Sequence, residues 1–362
     1  MLKVLVVDDS VTVQDTLKQI LNLDQDIEVT DTAIDPYDAV KKIAENLPDV
    51  ITLDIETPRM DGITFLGKLM KQHPIPVVII SSLTGKGSEI GMRALELGAC
   101  EIITKPKLST SEQMEEYSIR IIDAVKAAAL TGRTRIKPSR RRLTEVPNLL
   151  EEPDQSNSIL YPYSEKVILM GASTGGTEVI SKILKDLRAD LPGILIVQHM
   201  PGEFTTAYAK RLNLECKLNV KEAEDGDIVK RGCAYIANGF YHLHLVKEDG
   251  LYKCKLEKGQ LVNRHRPSVD VLFHSASVFP GKNIIAIIMT GMGADGARGL
   301  LELHEGGAMT FAQDEKSSVI FGMPKEAIKM GGVDIVLPLE RIAEEALFRA
   351  GYINNYQYAK LA

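Results

Sequence analysis

Short apolar runs alternate with amphipathic segments along the first third of the chain. The apolar runs cover residues 3–7, 27–33, 50–53, 76–80 and 101–103. Between them, apolar positions recur at helical spacing over 11–23, 37–47 and 89–97. Runs that are apolar throughout are typical of strands covered on both faces of a parallel sheet. The pattern therefore predicts an α/β domain over 1–130, with a doubly wound five-stranded parallel sheet.

The same alternation returns over residues 166–350. Buried strands are expected at 166–170, 193–198, 283–290, 308–312 and 333–337. Two further runs, at 241–246 and 251–256, flank a Lys-Glu-Asp-Gly turn sequence. Because an Asp-Gly pair favours the positive φ angles of a tight turn, these two runs predict a hairpin. The second domain is expected to be α/β, with a mostly parallel sheet and one β-hairpin.

A stretch of different composition separates these two regions, at residues 131–165. Its first half is basic, its second half is acidic, and prolines are interspersed. Low apolar content with separated charge blocks is typical of a linker, which is either a solvated tether or a docking surface for a partner. Residues 351–362 are assigned as a C-terminal tail.

Composition and charge narrow the class of protein. The 362 residues include 43 Lys and Arg against 49 Asp and Glu, and the net charge of −6 disfavours a nucleic-acid binder. A hydrophobic fraction of 44% excludes disorder of the whole chain. The sequence has no apolar run long enough for a transmembrane helix and no signal-peptide pattern at its start. Four scattered cysteines form no Cys-x-x-Cys pair, so we expect a cytoplasmic protein without disulfides.

Polar residues follow the ends of successive predicted strands in the first domain. Asp8 and Asp9 follow the first strand, Asp54 the third, Ser81 the fourth and Lys105 the fifth. The carboxyl ends of parallel strands face one edge of a sheet, so these side chains are expected to converge. Three close carboxylates repel one another unless a cation lies among them, and Mg²⁺ prefers such oxygen ligands. Any single acid could be an ordinary loop residue, but the series predicts a phosphoryl-binding pocket.

The sequence around these residues resembles two-component receiver domains over the whole first domain. The matching motifs are V-V-D-D-S at 6–10, L-D-I-E-T-P-R-M-D-G at 53–62, S-S at 81–82 and T-K-P at 104–106. The resemblance implies that Asp54 is the phosphoacceptor and that Ser81 and Lys105 sense the phosphoryl group. The Mg²⁺ ligands that it implies are Asp9, Asp54 and the Glu56 carbonyl, with Asp8 acting through water.

Three motifs of the second domain lie at predicted strand-to-helix junctions. The G-A-S-T-G sequence at 171–175 matches the nucleophile-elbow pattern G-x-S-x-G in its strand–turn–helix context. Q-H-M at 198–200 and G-M-G-A-D-G at 291–296 follow two further strands. A serine nucleophile needs a base to take its proton, and that base needs a third group to orient it. Ser173, His199 and Asp295 supply these groups, in a chain order that differs from that of the α/β-hydrolases.

Each motif also has a simpler interpretation. A Gly/Ser/Thr turn before a helix also binds anions. The G-x-G-x-x-G spacing at 291–296 matches a dinucleotide fingerprint, although Asp295 would put a carboxylate beside the pyrophosphate. A histidine after a strand is more often structural than catalytic. His242 and His244 share one strand face and could bind a metal, but without an evident third ligand a surface pair on the hairpin is the simpler interpretation.

With a receiver in front of them, the three motifs resemble the chemotaxis protein-glutamate methylesterases, which are also glutamine deamidases. The resemblance covers nearly the whole chain, with further matches at 264–273, 313–315 and 318–324. It implies that Ser173 is the nucleophile, His199 the base and Asp295 the group that orients the base. The Met292 backbone N–H is implied as an oxyanion donor. Thr174 and His265 are expected to line the active site.

The resemblance implies a phosphorylation-activated serine hydrolase that acts in chemotactic adaptation. Its substrates would be glutamate γ-methyl esters and glutamines on methyl-accepting chemotaxis receptors, and its phosphodonor would be a chemotaxis histidine kinase. Mg²⁺ would serve the receiver, and the hydrolytic step would need no cofactor. No nucleic acid and no direct membrane insertion are expected. The receiver is expected to dock over the Ser173 edge of the second sheet until phosphorylation loosens it.

Three other classes of function remain open from the residues. They are a receiver-gated serine hydrolase with another protein substrate, a non-catalytic interaction module, and a nucleotide-dependent enzyme. We expect His199 to be the base in preference to His265, because His199 follows a strand end. His265 lies in an arginine-rich loop, which is better suited to position an acidic substrate helix.

Overall fold

The computed structural model describes residues 1–82, 87–105, 111–133 and 163–351. The first sheet consists of β1 (Leu2–Val7), β2 (Ile27–Ala33), β3 (Val50–Leu53), β4 (Val77–Ser81) and β5 (Glu101–Thr104). Its helices are α1 (Val11–Leu21), α2 (Pro36–Glu45), α3 (Gly62–Gln72), α4 (Gly87–Glu96) and α5 (Ser111–Arg133). The strands pair in parallel in the order β2-β1-β3-β4-β5. This arrangement confirms the predicted doubly wound fold.

Alternating side chains of β1 enter two different hydrophobic layers. Val4 and Val6 pack with apolar residues of α1 and α5, whereas Leu5 and Val7 pack with apolar residues of α3 on the opposite face. Each of these four side chains is buried. Because both faces of the strand are covered, the apolar run has no room for polar positions until it ends, and the first polar residues come at the sheet edge.

A larger parallel sheet forms the second domain. Its strands are β6 (Val167–Ala172), β7 (Gly193–Gln198), β8 (Asn219–Glu222), β9 (Cys233–Ile236), β12 (Ile284–Ile288), β13 (Met309–Gln313) and β14 (Ile335–Leu337). Within the described residues they form a seven-stranded sheet in the order β14-β13-β12-β6-β7-β9-β8. The central strands β12, β6 and β7 are neighbours, so their carboxyl ends lie side by side.

A two-stranded hairpin leaves this sheet, as the sequence predicted. It consists of β10 (His242–Glu248) and β11 (Leu251–Glu257), which pair antiparallel. Asp249 and Gly250 at its turn both have positive φ, 52° and 79°. The helices of this domain are α6 (Gly176–Asp186), α7 (Gly202–Glu215), α8 (Val269–Ala276), α9 (Ala297–Glu305), α10 (Met323–Met330) and α11 (Leu339–Ala350).

Two strands escaped prediction, β8 and β9. Strand β8 lies at the sheet edge, and Val220 is its one fully buried residue, so its sequence carries no apolar run. Helix α5 continues to Arg133, three residues beyond the predicted end of the first domain at 130. Most of the predicted linker, Pro106 and the tail beyond 351 lie outside the described residues. Among the described helices, none is long and apolar enough to cross a membrane.

The two domains contact each other through one side of the receiver sheet. Helix α4 packs against α7, where the Phe204 ring lies against Gly91. Arg211 of α7 forms an ion pair with Glu96 of α4 at 3.1 Å, and Thr104 at the end of β5 donates to Glu203 at 3.1 Å. The receiver therefore lies over the carboxyl edge of the second sheet.

Candidate active site

Ser173 occupies a sharp turn between β6 and α6. Its backbone N–H donates to the Thr290 carbonyl at 3.0 Å, which ties the turn to the end of the neighbouring strand β12. Gly175 has φ of 81°, a conformation that favours glycine, and a side chain there would collide with Val319. The turn therefore has the features of the predicted nucleophile elbow. The Ser173 residue is 7% exposed.

His199 and Asp295 meet at the same edge. His199 follows β7, and its backbone N–H donates to the Ala172 carbonyl at 3.1 Å. Its ring Nε2 lies 2.8 Å from Asp295 Oδ2, and both side chains are almost fully buried. A ring nitrogen that faces a carboxylate carries the proton, so Nδ1 holds the lone pair. Within the described residues, this buried Nδ1 has no hydrogen-bond partner.

A dense set of donors surrounds the Asp295 carboxylate. Besides His199, the donors are Val269 N at 2.6 Å, Ser268 Oγ at 2.7 Å and Asn263 Nδ2 at 2.8 Å. Burial alone would raise the pKa of Asp295, but the hydrogen bonds from His199, Asn263 and Ser268 outweigh it and hold this pKa well below its usual range. Asp295 is therefore a fixed anion that orients the His199 ring.

The His265 ring stacks on the His199 ring. The ring centroids are 3.7 Å apart, and the planes are inclined by 12°. His265 Nδ1 lies 2.7 Å from the Asn263 carbonyl, so Nδ1 is the protonated nitrogen of this ring. Burial and the neighbouring His199 lower the pKa of His265 to about 3. His265 is thus a neutral aromatic support, and its protonated Nδ1 bonds to the Asn263 carbonyl, whereas Asp295 bonds to His199.

A cavity of about 330 Å³ opens beside these residues, and both domains line it. Ser173, His199 and Met292 line it from the catalytic side. From the receiver, the Glu101 carboxylate accepts a hydrogen bond from the Thr174 hydroxyl at 3.1 Å. Burial raises the pKa of Glu101, although the Thr174 hydrogen bond opposes the shift. Thr174 and His265 also line this cavity.

The receiver's acidic residues converge on Lys105. Its ammonium nitrogen lies 2.6 Å from Asp8 Oδ2 and 2.6 Å from Asp54 Oδ2. Both carboxylates are buried, while Asp9 is exposed. Burial raises the pKa of Asp8 even though Lys105 opposes this shift. The predicted strand-end residues thus form one compact charged cluster.

The donor set of this cluster fits a hard divalent cation. Oxygen atoms of Asp8, Asp9 and Asp54 all lie within 4.8 Å of one another. With one lysine among three carboxylates, the cluster is short of positive charge, which a cation such as Mg²⁺ would supply. The Glu56 carboxylate points elsewhere and accepts from Ser82 Oγ at 2.9 Å. Ser81 Oγ is buried beside the cluster and has no partner within the described residues.

Sequence reasoning missed three residues that hold the catalytic groups in place. Asn263 and Ser268 bind Asp295, and the Gln198 amide donates to the Ser173 and His199 carbonyls at 2.9 and 3.1 Å. Gln198 could have been noticed, because it is a polar residue at the end of an otherwise apolar strand. The other two precede α8, and no pattern in the sequence links that segment to position 295.

The two histidines of the hairpin contact neighbouring protein groups. His242 is buried rather than on the surface, and its Nε2 bonds to the Gln260 carbonyl at 2.7 Å. His244 lies 3.4 Å from Glu257 on the paired strand. Among the described residues, neither belongs to a group of three or more potential metal ligands. The surface interpretation was therefore wrong for His242.

Comparisons with known proteins identify both parts of the chain. The model of the CheB methylesterase family matches residues 168–346, and that of the response regulator receiver domain matches residues 4–116. Similar curated proteins are named protein-glutamate methylesterase/protein-glutamine glutaminase. One, from Oleidesulfovibrio alaskensis, is 52% identical over 94% of this chain and 96% of its own length. Another, from Geobacter metallireducens, is 52% identical over 97% of this chain and 99% of its own.

A solved structure is also similar to the second domain. The crystal structure of the Thermotoga maritima CheB methylesterase catalytic domain is 39% identical, with a TM-score of 0.50. The match covers 52% of this chain and the whole of that one. It agrees with the mostly parallel sheet and the hairpin described above.

Proposed function

This chain belongs to the CheB methylesterase family, and we propose that Ser173, His199 and Asp295 carry its reaction. The enzyme is a protein-glutamate methylesterase and protein-glutamine glutaminase, whose receiver domain makes it a phosphorylation-regulated response regulator. The observation that carries the assignment is the His199 ring. One nitrogen is held by Asp295, and the other, buried beside the serine turn, has no hydrogen-bond partner in the part of the chain that the structure describes.

Hydrolysis begins with attack by the Ser173 hydroxyl oxygen on the side-chain carbonyl carbon of a glutamate γ-methyl ester. His199 Nδ1 accepts the hydroxyl proton as the new carbon–oxygen bond forms. The tetrahedral intermediate collapses, and the same nitrogen donates the proton to the departing methoxide, which leaves as methanol. Water then cleaves the acyl-enzyme and restores the serine. A glutamine side chain follows the same route and releases ammonia.

Asp295 and a backbone donor support the charges that develop in these steps. Asp295 stabilises the imidazolium form of His199, and its low pKa keeps it from taking the proton itself. We assign the Met292 N–H to the oxyanion, because Met292 lines the cavity beside Ser173. One such donor contributes ~3 kcal/mol of transition-state stabilisation in comparable enzymes.

Two measurements on the same protein test this assignment and separate it from the alternatives. A fluorophosphonate probe should label Ser173, and mass spectrometry of the digest locates the adduct. Methanol should be released from methylated receptor substrate. Labelling without methanol release would indicate a serine hydrolase with another protein substrate. Neither labelling nor release would indicate a non-catalytic module.

The receiver supplies regulation through Asp54, which we assign as the phosphoacceptor. Ser81 and Lys105 would contact the phosphoryl oxygens, since Lys105 lies 2.6 Å from Asp54 and Ser81 ends β4, the strand beside β3. Mg²⁺ would be held by Asp9, Asp54 and the Glu56 carbonyl, with Asp8 through water. Bound there, Mg²⁺ offsets the charge of carboxylates and phosphoryl group. A small phosphodonor with Mg²⁺ should add one phosphoryl mass, and Asp54→Asn, but not the control Asp38→Asn, should abolish it.

The remaining assignments concern organisation and partners. We divide the chain into a receiver at 1–130, a linker at 131–165, a catalytic domain at 166–350 and a tail at 351–362. The receiver implies a kinase as phosphodonor, and the family implies chemoreceptor substrates. The specific partners that we propose are a chemotaxis histidine kinase and methyl-accepting receptors. Cytoplasmic location is supported by the four cysteines, all of which are free.

A further inference from the structure

One glutamate of the receiver reaches the residue that follows the nucleophile. Glu101 begins β5, and its carboxylate accepts the hydrogen bond from the Thr174 hydroxyl. Glu101, Ser173 and His199 line the same cavity. The product of the reaction is a glutamate side chain. The receiver therefore places a glutamate carboxylate in the active-site cavity, and hydrolysis of the substrate leaves a glutamate carboxylate in the same cavity.

Two further acids of the receiver face two arginines of the loop before α8. Glu116 lies 3.8 Å from Arg266, and Asp123 lies 3.7 Å from Arg264. The acids are seven residues apart on α5, which puts them on one helix face about 10 Å apart. The arginines flank His265, whose ring stacks on His199. Positive charge beside the catalytic base thus meets two carboxylates of α5, with Arg120 of the same helix between them.

Domain docking alone does not account for these arginines. Both ion pairs are long, and the Arg264 side chain remains 66% exposed in the docked state, so each pair contributes only modestly to docking. The apolar contact between the domains lies elsewhere, where Phe204 packs against Gly91. The two arginines therefore place positive charge beside the cavity that the receiver's carboxylates pair with only at long range.

We propose that the receiver's acids occupy the binding sites of the substrate. The Thr174 hydroxyl receives the side chain of the modified glutamate, while Arg264 and Arg266 bind acidic residues that flank it on a substrate helix. The inference rests on the proposed function of Ser173 as the nucleophile. It assigns a specificity: the activated enzyme prefers a modified glutamate with carboxylates on the same helix face.

Variants on the two sides of the contact distinguish this role from simple docking. The full chain is activated with a small phosphodonor and Mg²⁺, and methanol release is measured against the concentration of a methylated receptor substrate. Arg264→Gln and Arg266→Gln should each raise KM about fivefold, the order of one exposed ion pair, with kcat unchanged. Glu116→Gln and Asp123→Asn should raise the rate of the unphosphorylated chain and leave the activated KM unchanged.

A change in the substrate gives a second readout. A methylated receptor substrate whose flanking glutamates are replaced by glutamine should have a raised KM with the wild-type enzyme. The arginine variants should no longer distinguish the two substrates. The matched control is Arg188→Gln, whose exposed side chain pairs with Asp190 before β7, at the opposite edge of the sheet. It should behave as the wild type does.

The outcomes that overturn the inference are distinct from those that overturn the proposed function. Unchanged KM and unchanged substrate preference in the arginine variants would mean that these residues serve docking alone. Absence of methanol release from the activated wild type would instead reject the proposed function, and this inference with it. Arg266 also donates to the Gly259 carbonyl at 2.8 Å. If Arg266→Gln misfolds, Arg264→Gln decides the question, because that side chain is the more exposed.

Discussion

The two sheets of this molecule carry polar residues at the same kind of edge but hold them differently. In the receiver, Asp8, Asp54 and Lys105 come directly from strand ends and neutralise one another in part. In the catalytic domain, Asp295 follows β12 but takes most of its donors from residues 263–270, beyond the hairpin. The first site is therefore a product of strand order alone, whereas the second needs an added segment to complete it.

The two sites also differ in how they stabilise negative charge. Three carboxylates and one lysine leave the receiver cluster with an excess of negative charge, which suits a site that binds a cation. Asp295 is a single carboxylate whose hydrogen bonds already lower its pKa. Its role is to hold the His199 ring without binding anything new. The comparison indicates that the receiver site is suited to bind a cation, whereas the carboxylate of the catalytic site is suited to hold the His199 ring in one orientation.

The largest effect expected is from removal of the serine nucleophile. Ser173→Ala should lower kcat for methanol release about 10⁶-fold, as loss of the nucleophile does in comparable serine hydrolases. His199→Ala should have a similar effect, and the double variant should be little worse, because the two residues act as one unit. Ser277→Ala, at the exposed end of α8, serves as the control. Half of the wild-type rate in Ser173→Ala would reject the mechanism.

A smaller loss is expected when only the orientation of the base is disturbed. Asp295→Asn should lower kcat about 10⁴-fold, because an amide offers His199 a donor where it needs an acceptor. Asp54→Asn makes the same aspartate-to-asparagine change at the edge of the receiver sheet. It should leave the rate of the unphosphorylated chain unchanged. Steady-state methanol release from the two purified variants makes the comparison. Equal losses in the two variants would contradict the separation of roles.

Sequence patterns were sufficient for those features that depend on strand order. Fully apolar strands followed by Asp8, Asp54, Ser173 or His199 predicted both sheets and both clusters, because parallel strands end at one edge. Strand β8 was missed because an edge strand with one buried residue, Val220, needs no apolar run.

Geometry that depends on loops was not available from the sequence. The stacking of His265 on His199, and the hydrogen bonds from Asn263 and Ser268, join segments that lie about 30 to 70 residues apart in the chain, a distance that local patterns do not cover. The approach of Glu101 to Thr174 depends on how two domains dock. The secondary-structure propensities and apolar periodicity of either domain alone do not predict that contact.

An intermediate effect is expected when the receiver domain, which covers the active site, is removed. The receiver lies over the Ser173 edge, so a chain that begins at Ser164 should hydrolyse receptor esters faster than the unphosphorylated full chain. A coupling of ~1–3 kcal/mol between domains corresponds to roughly a 5–150-fold change. Phosphorylation should raise the rate of the full chain in the same direction, and Asp54→Asn should block that rise. Equal rates for the short and the unphosphorylated full chain would show that the receiver does not inhibit.

The smallest effect concerns the ring that supports the catalytic base. An aromatic pair contributes ~0.5–1.5 kcal/mol, so His265→Ala should lower kcat about twofold to tenfold, far less than His199→Ala. His265→Phe keeps a neutral ring on His199 and should retain most of the rate. Side-by-side kinetics of the three variants give the ranking. A severe loss in His265→Ala with a mild one in His199→Ala would instead make His265 the base.

His265 should also leave a signature in stability, at higher pH than the range in which carboxylates such as Asp295 take up protons. Its pKa is lowered to about 3 in the folded protein, while an unfolded histidine titrates near ~6.5. Between these values the unfolded state binds a proton that the folded state does not, so stability falls as pH falls through that window. The loss is at most ~1.4 kcal/mol per pH unit. Denaturant unfolding at pH 7.5 and pH 5 should therefore show a larger difference for the wild type than for His265→Phe, because phenylalanine has no proton to take up. An equal pH dependence in both proteins would mean that His265 takes up its proton at the same pH in the folded and the unfolded state, which would contradict the lowered pKa.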